Sequence, residues 1–116
     1  MHSKSYTILI LMQATKKWLA LSRTQRNKFV TEELQFNFHG VSKNLNIRFY
    51  DCEYFHAGIS DFLILTTNYL EEYQLWIEQL RDTRVYTAPY FKIKEILVGQ
   101  ENRFQDFDQL LTPEKL

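Results

Sequence analysis

The side chains best suited to chemistry lie close together in the middle of the chain. Asp51, Cys52, Glu53 and His56 fall within one short segment, and Asp61 follows shortly after it. Carboxylates, a thiol and an imidazole can ligate a metal ion or act as an acid and base pair. The spacing matches no established zinc or iron site, and strand alternation points Asp51 and Glu53 away from Cys52. We therefore expect no metal site, and we interpret the segment as a solvated turn in which Asp61 accepts backbone hydrogen bonds.

Single residues near this segment offer weaker candidates for catalysis. His56 could act as a general base near neutral pH, and Tyr50 is the other candidate proton-handling residue. A role in a surface loop is the simpler interpretation for His56, while His39 lies near a predicted helix end, where the helix dipole favours a cation. Arg48 shares a strand face with Tyr50, and a buried guanidinium requires a partner such as a ligand carboxylate, Glu95 or a second subunit. Of these partners for Arg48, the sequence favours a second subunit at an interface.

A ligand pocket is the alternative setting for these side chains. Sites for apolar ligands commonly combine aromatic walls with a few polar groups. Aromatic residues make up 16% of this chain, so core packing explains them equally well. The candidate ligand-binding residues are Trp18, Arg48, Tyr50, Tyr86 and Tyr90, with Phe91 beside them.

The first half of the chain predicts a strand followed by a helix. Residues 5–13 are apolar and rich in β-branched side chains, which indicates a buried strand, and residues 15–21 are a connection. Ser22 and Gln25 have the spacing of a capping box, so a helix should begin there and end near Gly40. The apolar stripe of that helix is Phe29, Val30, Leu34 and Phe38.

Two more strands follow, and they must position the candidate residues. Residues 45–52 alternate between apolar and polar side chains, which is typical of a half-buried strand with Arg48 and Tyr50 on one face. Residues 51–60 form the link to a third strand, residues 61–67, whose continuous apolar character predicts a central position in the sheet.

The last third of the chain predicts a helix, a strand and a tail helix. Asn68 is the expected N-cap of a helix that runs to about Asp82, and residues 83–89 form a connection in which Pro89 biases Ala88 toward an extended backbone. Residues 91–98 are the fourth strand, closed by Gly99. The apolar stripes are Leu70, Tyr73, Trp76, Ile77 and Leu80 in the helix, and Phe104, Phe107, Leu110 and Leu111 in the tail.

The order of elements predicts an α+β fold of the ferredoxin-like type. Two strand, helix, strand units form a four-stranded antiparallel sheet with the helices on one face. We expect one domain over residues 1–116, with a core of residues 5–99 and a C-terminal helical tail of residues 100–116. The bare sheet face needs a cover, which predicts a homodimer assembled as a dimeric α/β barrel.

Several stretches of this sequence resemble the darcynin family of small bacterial proteins. They are residues 18–23, residues 29–34, Asp51 with Phe55, residues 60–62 and residues 81–91. The resemblance implies the fold and a bacterial origin, and it carries no catalytic or binding residue onto this chain. The fold also resembles that of cofactor-independent monooxygenases, muconolactone isomerases, haem-binding chlorite dismutase relatives and ligand-sensing domains.

Composition narrows the classes of protein that remain. The chain has 116 residues, zero net charge and one cysteine, Cys52, which is consistent with the cytoplasm. The β-branched residues after Lys4 favour a strand over a signal peptide, and no membrane span is expected. Residues 60–66 lack the basic and glycine positions of RNA-recognition strands, so we expect no nucleic-acid partner. Gly-rich phosphate loops and a G-x-S-x-G nucleophile elbow are absent, which excludes nucleotide hydrolysis and the usual serine hydrolases by their local signatures. No cofactor is expected.

Two hypotheses of different class follow. The first is a dimeric module that binds a small apolar or aromatic ligand or a protein partner. The second is a cofactor-independent monooxygenase or isomerase that acts on an aromatic or polyketide-like compound between sheet and helices. An enclosed, partly polar pocket with a titratable group of shifted pKa would favour the enzyme, whereas a fully packed layer would exclude it.

Overall fold

The computed structural model describes residues 5–35, 44–101 and 103–111. The strands are β1 (Tyr6–Ala14), β2 (Asn46–Asp51), β3 (Asp61–Thr67) and β4 (Phe91–Gln100). The helices are α1 (Lys16–Leu19), α2 (Arg23–Phe29), α3 (Leu70–Arg81), α4 (Arg84–Thr87) and α5 (Arg103–Leu111), and a π-helical segment, Val30–Gln35, continues α2. The predicted α+β order is confirmed, and α1 and α4 are additional short helices.

The strands form one antiparallel sheet in the order β2-β3-β1-β4. This is the ferredoxin-like arrangement that the sequence predicts. One face of the sheet points toward the helices. There Ile8, Ile10 and Leu65 have no exposed surface, because strand alternation places all three on the face that the helices cover. The hydrophobic core therefore lies between the sheet and the helices.

The register identifies the two faces of β2, which the sequence alone left undecided. Ile47 and Phe49 pair with core residues of β3 and face the helices. Arg48 and Tyr50 share the opposite face, which we call the open face. Two rows of side chains cross it. The first is Arg48, Ile64, Leu9 and Leu97, and the second is Tyr50, Phe62, Leu11 and Glu95.

Two expectations for Arg48 are wrong within one chain. Its side chain is exposed, so its charge needs no buried partner. Glu95 lies on β4 and Arg48 on β2, and these strands form opposite edges of the sheet. The suggested pair therefore cannot form inside one subunit.

Residues 15–21 are more than a connection, because they contain α1. The Thr15 side chain caps this helix by accepting a hydrogen bond from the Trp18 backbone N–H at 3.4 Å. The Arg26 guanidinium donates to the carbonyls of Trp18 and Leu19 at 3.2 and 2.9 Å. The Trp18 carbonyl also accepts from the Leu21 backbone N–H at 3.1 Å. Both carbonyls lie at the end of α1, so Arg26 stabilises this turn from the neighbouring helix.

The predicted capping box at the start of α2 is confirmed. The Gln25 backbone N–H donates to Ser22 Oγ at 3.1 Å, and the Ser22 backbone N–H donates to Gln25 Oε1 at 2.8 Å. Phe29 and Leu34 of the predicted stripe are buried. Phe38, His39 and the helix end near Gly40 lie outside the described residues.

The N-cap of α3 is Tyr69, so the prediction of Asn68 is wrong by one residue. Thr67 accounts for the difference, because its Oγ1 accepts a hydrogen bond from the Tyr69 backbone N–H at 3.1 Å and orders the turn. The buried residues of α3 are Trp76 and Leu80, as the apolar spacing predicts.

Residues 83–89 contain α4, and Ala88 is helical rather than extended. Thr83 caps α4 by accepting from the Val85 backbone N–H at 3.3 Å. The Ala88 backbone N–H donates to the Arg84 carbonyl at 3.3 Å, which continues the helical turn to the residue before Pro89. This local hydrogen bond outweighs the steric preference of a residue that precedes proline.

The last strand and the last helix are of the predicted type, but the strand is longer than predicted. β4 continues to Gln100, and Gly99 lies within the strand opposite Thr7 instead of closing it. The predicted tail helix is confirmed as α5. Its apolar residues Phe104, Phe107, Leu110 and Leu111 are all between 60% and 69% exposed. Within the described residues, no helix has both the length and the apolar composition needed to cross a membrane.

Candidate functional site

A cavity of about 320 Å³ lies between the sheet and the helical layer. All four strands contribute to its walls, together with α1, α3, α4 and the π-helical segment. Phe49, on the helix-facing side of β2, is 51% exposed, which shows that the helices leave this edge of the sheet partly uncovered. The cavity is lined by Met12, Trp18, Val30, Leu34, Phe49, Tyr50, Asp51, Asp61, Phe62, Leu63, Trp76, Leu80, Val85 and Phe91.

Asp51 and Asp61 are the charged residues of this lining. They lie opposite each other because the last residue of β2 pairs with the first residue of β3. Their carboxyl groups are hydrogen-bonded to each other, and Ser60 Oγ donates to Asp61 Oδ2 at 2.6 Å. Ser60 Oγ in turn accepts from the Ala14 backbone N–H at 2.7 Å, which ties the pair to the end of β1.

The surroundings of Asp61 favour its protonated form. Burial removes water from the carboxyl group and raises its pKa from 3.8 to about 6. The hydrogen bond from Ser60 opposes this rise, whereas the carboxylates of Asp51 and Glu53 add to it by repulsion. A carboxyl group that exchanges its proton near pH 6 therefore stands at the wall of an apolar cavity.

A wider polar cleft of about 610 Å³ adjoins the cavity and shares Asp51 and Asp61 with it. Arg23 and Arg26 line this cleft from α2, and Tyr54 lines it from the β2–β3 loop. The carboxyl pair therefore lies where an apolar chamber meets a polar entrance. A molecule in the chamber would place its polar end against these carboxyl groups.

Three carboxylates at this point could supply oxygen atoms to a hard cation. One oxygen from each of Asp51, Glu53 and Asp61 lies within 4.8 Å of the others. Cys52 and His56, the other members of the sequence cluster, do not belong to this group of three. Cys52 Sγ donates to the Ile59 carbonyl at 3.3 Å, and partial burial together with the nearby carboxylates raises the pKa of its thiol.

His56 belongs to the loop that joins β2 to β3, and its side chain is exposed. Its Nδ1 accepts hydrogen bonds from the backbone N–H groups of Gly58 and Ile59, both at 3.0 Å. His56 is not among the residues that line the cavity. Its observed contacts are those of a residue that shapes the loop.

The predicted ligand-binding residues separate into two groups. Trp18 and Phe91 line the cavity. Tyr50 and Arg48 share the open face, and of these two only Tyr50 also belongs to the lining. Tyr90 is buried beside Trp18, with ring centroids 5.5 Å apart, and outside the lining. The role of the predicted residues in ligand binding stays a prediction.

Two tyrosines serve the helical layer rather than the cavity. The Arg84 guanidinium donates to Tyr90 Oη at 3.3 Å and pairs with Glu33 of the π-helical segment. Tyr86 is half-buried, and burial raises the pKa of its phenol, as it does for Tyr73 nearby. Tyr86 is not among the cavity-lining residues.

The interpretation of Asp61 as part of a solvated turn is wrong. Asp61 is half-buried, begins a strand and shares a proton-binding site with Asp51. The sequence does contain a signal for this, because both residues bound the predicted link between the second and third strands. Only the pairing register brings them together, and residue spacing does not specify that register.

The chain matches a known protein family over most of its length. Residues 2–109 match the family model described as "Darcynin, domain of unknown function". The chain belongs to the darcynin family. The darcynin homolog of Streptomyces avermitilis is 31% identical over 98 residues, which cover 84% of this chain and 80% of that protein. Darcynin 1 of Acinetobacter baumannii is 30% identical over 90 residues, 78% of this chain and 99% of that protein.

Solved structures outside the darcynin family share the fold. Chlorite dismutase from Candidatus Nitrospira defluvii in complex with imidazole superposes with a TM-score of 0.73 at 16% identity, over 89% of this chain and 42% of that one. A novel heme-binding protein from Thermus thermophilus superposes with a TM-score of 0.75 at 12% identity, over 92% of this chain and 45% of that one. This darcynin-family chain therefore spans less than half the length of either solved chain.

Proposed function

We propose that this protein binds a small ligand with an apolar body in the cavity between sheet and helices. The cavity itself is the observation that carries the proposal. Its volume of about 320 Å³ falls in the range of small-molecule sites, roughly 300–1,000 Å³. Its walls are mainly aromatic and aliphatic, with two carboxyl groups at one end. In a site of this kind the few polar groups fix the orientation of the ligand. Burial of apolar surface supplies most of the affinity.

Native mass spectrometry of protein purified from its own host tests this proposal. We expect a retained small molecule with the wild-type protein. Val30→Trp should abolish retention, because Val30 lines the cavity and the larger ring would fill it. Val98→Trp is the matched control, since Val98 is 49% exposed on β4 and lies outside the lining. Equal retention by both variants would place the ligand elsewhere.

The open face supports a homodimer in a dimeric α/β-barrel arrangement. Leu9, Leu11, Phe62 and Ile64 occupy its centre and are only partly buried in one chain. A second copy would cover the apolar rows.

Light scattering after size exclusion tests the dimer. Ile64→Lys places a charge at the centre of the open face and should give a monomer. Lys94→Glu changes an exposed position of β4 and should remain dimeric. A monomeric wild-type protein would contradict the proposed assembly.

The residues of the cavity do not fit a haem. Haem iron is commonly held by histidine, and His56, the histidine within the described residues, lies outside the lining. The charged groups at the cavity are the carboxyls of Asp51 and Asp61, which would repel the carboxylates of a haem. Among the residues that the structure describes, the similarity to a heme-binding protein therefore does not extend to a histidine-ligated haem site.

The enzyme hypothesis keeps specific support, although from a different residue than expected. The apolar cavity with its two carboxyl groups and the pKa of Asp61 near 6 are the features that favour it. A carboxyl group with this pKa can give and take a proton near neutral pH, as an isomerase requires. Asp61 replaces His56 and Tyr50 as the proton-handling candidate, because His56 lies outside the cavity and Tyr50 stacks on Phe62 with centroids 4.8 Å apart.

Isotope exchange separates this second candidate from simple binding. The molecule retained by the protein is incubated with the protein in D2O, and incorporation of deuterium is followed by mass spectrometry. An isomerase would exchange a carbon-bound proton, and Asp61→Asn would stop the exchange. If the ligand binds and no deuterium is incorporated, the isomerase candidate is refuted and ligand binding is the remaining function.

The remaining aspects of function are also proposals. The single cysteine, Cys52, supports a reducing compartment, and we place the protein in the cytoplasm. The bacterial darcynin relatives support a bacterial source. The expectation that the protein binds no nucleic acid stays a prediction.

A further inference from the structure

We propose that the ligand of the cavity is an organic cation, a protonated amine attached to a body of one or two rings. This inference rests on the proposed binding function and specifies the chemistry of its ligand. The amine would lie against Asp51 and Asp61, and the rings would fill the apolar chamber.

Charge excludes an anionic ligand from the chamber. Among the described residues that line it, the ionisable groups of full charge at neutral pH are Asp51 and Asp61, with a Glu53 oxygen within 4.8 Å of both. Two or three acidic groups at such distances repel an anion and attract a cation, the more strongly because the surroundings are apolar. A protonated amine also donates the hydrogen bonds that carboxylates accept.

The basic residues nearby do not reverse this preference. Arg23 and Arg26 line the outer cleft and are absent from the lining of the chamber. Arg26 is already engaged, because its Nε and Nη2 atoms donate to the carbonyls of Trp18 and Leu19. Its position is therefore fixed by α1 rather than available to a ligand in the chamber.

The walls suit the same class of ligand. Trp18, Phe49, Trp76 and Phe91 all line the chamber, and the rings of Trp18 and Phe91 are 4.9 Å apart. Aromatic faces attract ammonium groups, and tryptophan does so most strongly. Carboxylates combined with aromatic walls form a setting for an ammonium group with an aromatic body. The volume of about 320 Å³ accommodates one or two fused rings.

Binding of the amine should also depend on pH. The charged groups around Asp61 are Asp51 on β2, Glu53 on the β2–β3 loop, and Arg23 and Arg26 on α2 across the cleft. An ammonium group would stabilise the ionised carboxyl of Asp61, whose pKa without ligand is about 6. Binding should therefore release a proton near pH 6 and weaken as the pH falls below that value.

Isothermal titration calorimetry with three indoles of nearly equal size tests the inference. Tryptamine, tryptophol and indole-3-acetate carry an amine, a hydroxyl and a carboxylate on the same ring system. At pH 7.5 with EDTA, which removes divalent cations from the carboxylates, tryptamine should bind at least ~10-fold more tightly than tryptophol. Indole-3-acetate should bind most weakly.

Variants of the carboxyl pair supply the control. Asp51→Asn and Asp61→Asn should each reduce the preference for tryptamine about tenfold while tryptophol still binds. Two variants are used because one of them could fold poorly, which thermal unfolding would reveal. Asp82→Asn removes an exposed carboxylate at the end of α3 and should leave the preference unchanged.

The outcomes separate the two proposals. Tryptophol binding as tightly as tryptamine would overturn the cation inference and leave the ligand-binding function in place. Failure of all three indoles to bind would overturn both the cation inference and the proposed ligand-binding function of the cavity. A preference for tryptamine that survives both carboxyl variants would also refute the assignment of the amine to Asp51 and Asp61.

Discussion

Replacing Asp61 with asparagine should stabilise the protein above pH 6 and have little effect near pH 4. The Asp61 carboxyl binds its proton more tightly in the folded chain than in the unfolded one, because burial raises its pKa from 3.8 to about 6. The stability that this group contributes is therefore fully present below about pH 4. It is lost as the pH rises through 6, where the folded chain must hold an ionised, half-buried carboxylate beside Asp51.

The size of the effect follows from the pKa and the exposure of the group. A difference of one in pKa corresponds to about 1.4 kcal/mol, so the full change from 3.8 to about 6 would amount to about 3 kcal/mol. Asp61 is only half-buried, and water screens its interactions, so we expect about 1 kcal/mol at pH 8. Asparagine keeps an oxygen that can accept from Ser60 Oγ, and its amide can donate to Asp51.

Urea unfolding at pH 4 and at pH 8 measures this difference. As the pH rises from 4 to 8, the free energy of unfolding of the wild-type protein should fall relative to that of Asp61→Asn. Asp82→Asn controls for the loss of one negative charge at an exposed site, and its difference from wild type should change little with pH. If Asp61→Asn were less stable than wild type at pH 8, the reasoning that burial and repulsion dominate at this carboxyl would be refuted.

The remaining predictions concern stability at a fixed pH. Ser22→Ala removes the hydrogen bond that Ser22 Oγ accepts from the Gln25 backbone N–H and should lower the free energy of unfolding by about 1 kcal/mol, whereas Thr24→Ala in the exposed first turn should change it much less. Leu65→Ala should cost about 3 kcal/mol in urea unfolding, since Leu65 has no exposed surface, and a cost below about 1 kcal/mol would mean that the core collapses around the gap. Arg84→Met should cost less than about 1 kcal/mol although Arg84 pairs with Glu33, because the arginine side chain is 55% exposed, and a larger loss on thermal unfolding would contradict the weakness assigned to this ion pair.

Local interactions explain which parts of the fold the sequence predicts well. The capping box at Ser22 joins residues three positions apart, and the apolar spacing of α3 follows from one helical period. The predicted bounds of β3 match the observed ones because its apolar run is bounded by polar residues. Such features need no knowledge of distant residues.

The errors arise where a competing contact decides the local structure. Arg26 completes α1 from the neighbouring helix, and the turn made by Thr67 moves the start of α3 to Tyr69. The hydrogen bond from Ala88 to Arg84 gives a helical backbone where a preference for an extended one was expected. Each of these contacts is local in the sequence, and residue types alone do not specify which of several competing hydrogen bonds forms.

The candidate site shows the same division. The sequence by itself determined that Asp51 and Asp61 bound the link between the second and third strands, that Trp18 and Phe91 could line an apolar pocket, and that the chain forms a split sheet with helices. Only the tertiary structure decided that the carboxyl groups meet across the β2–β3 register and that a space remains between the layers. Register and unfilled volume depend on how whole elements pack, and periodic patterns within one element do not specify either.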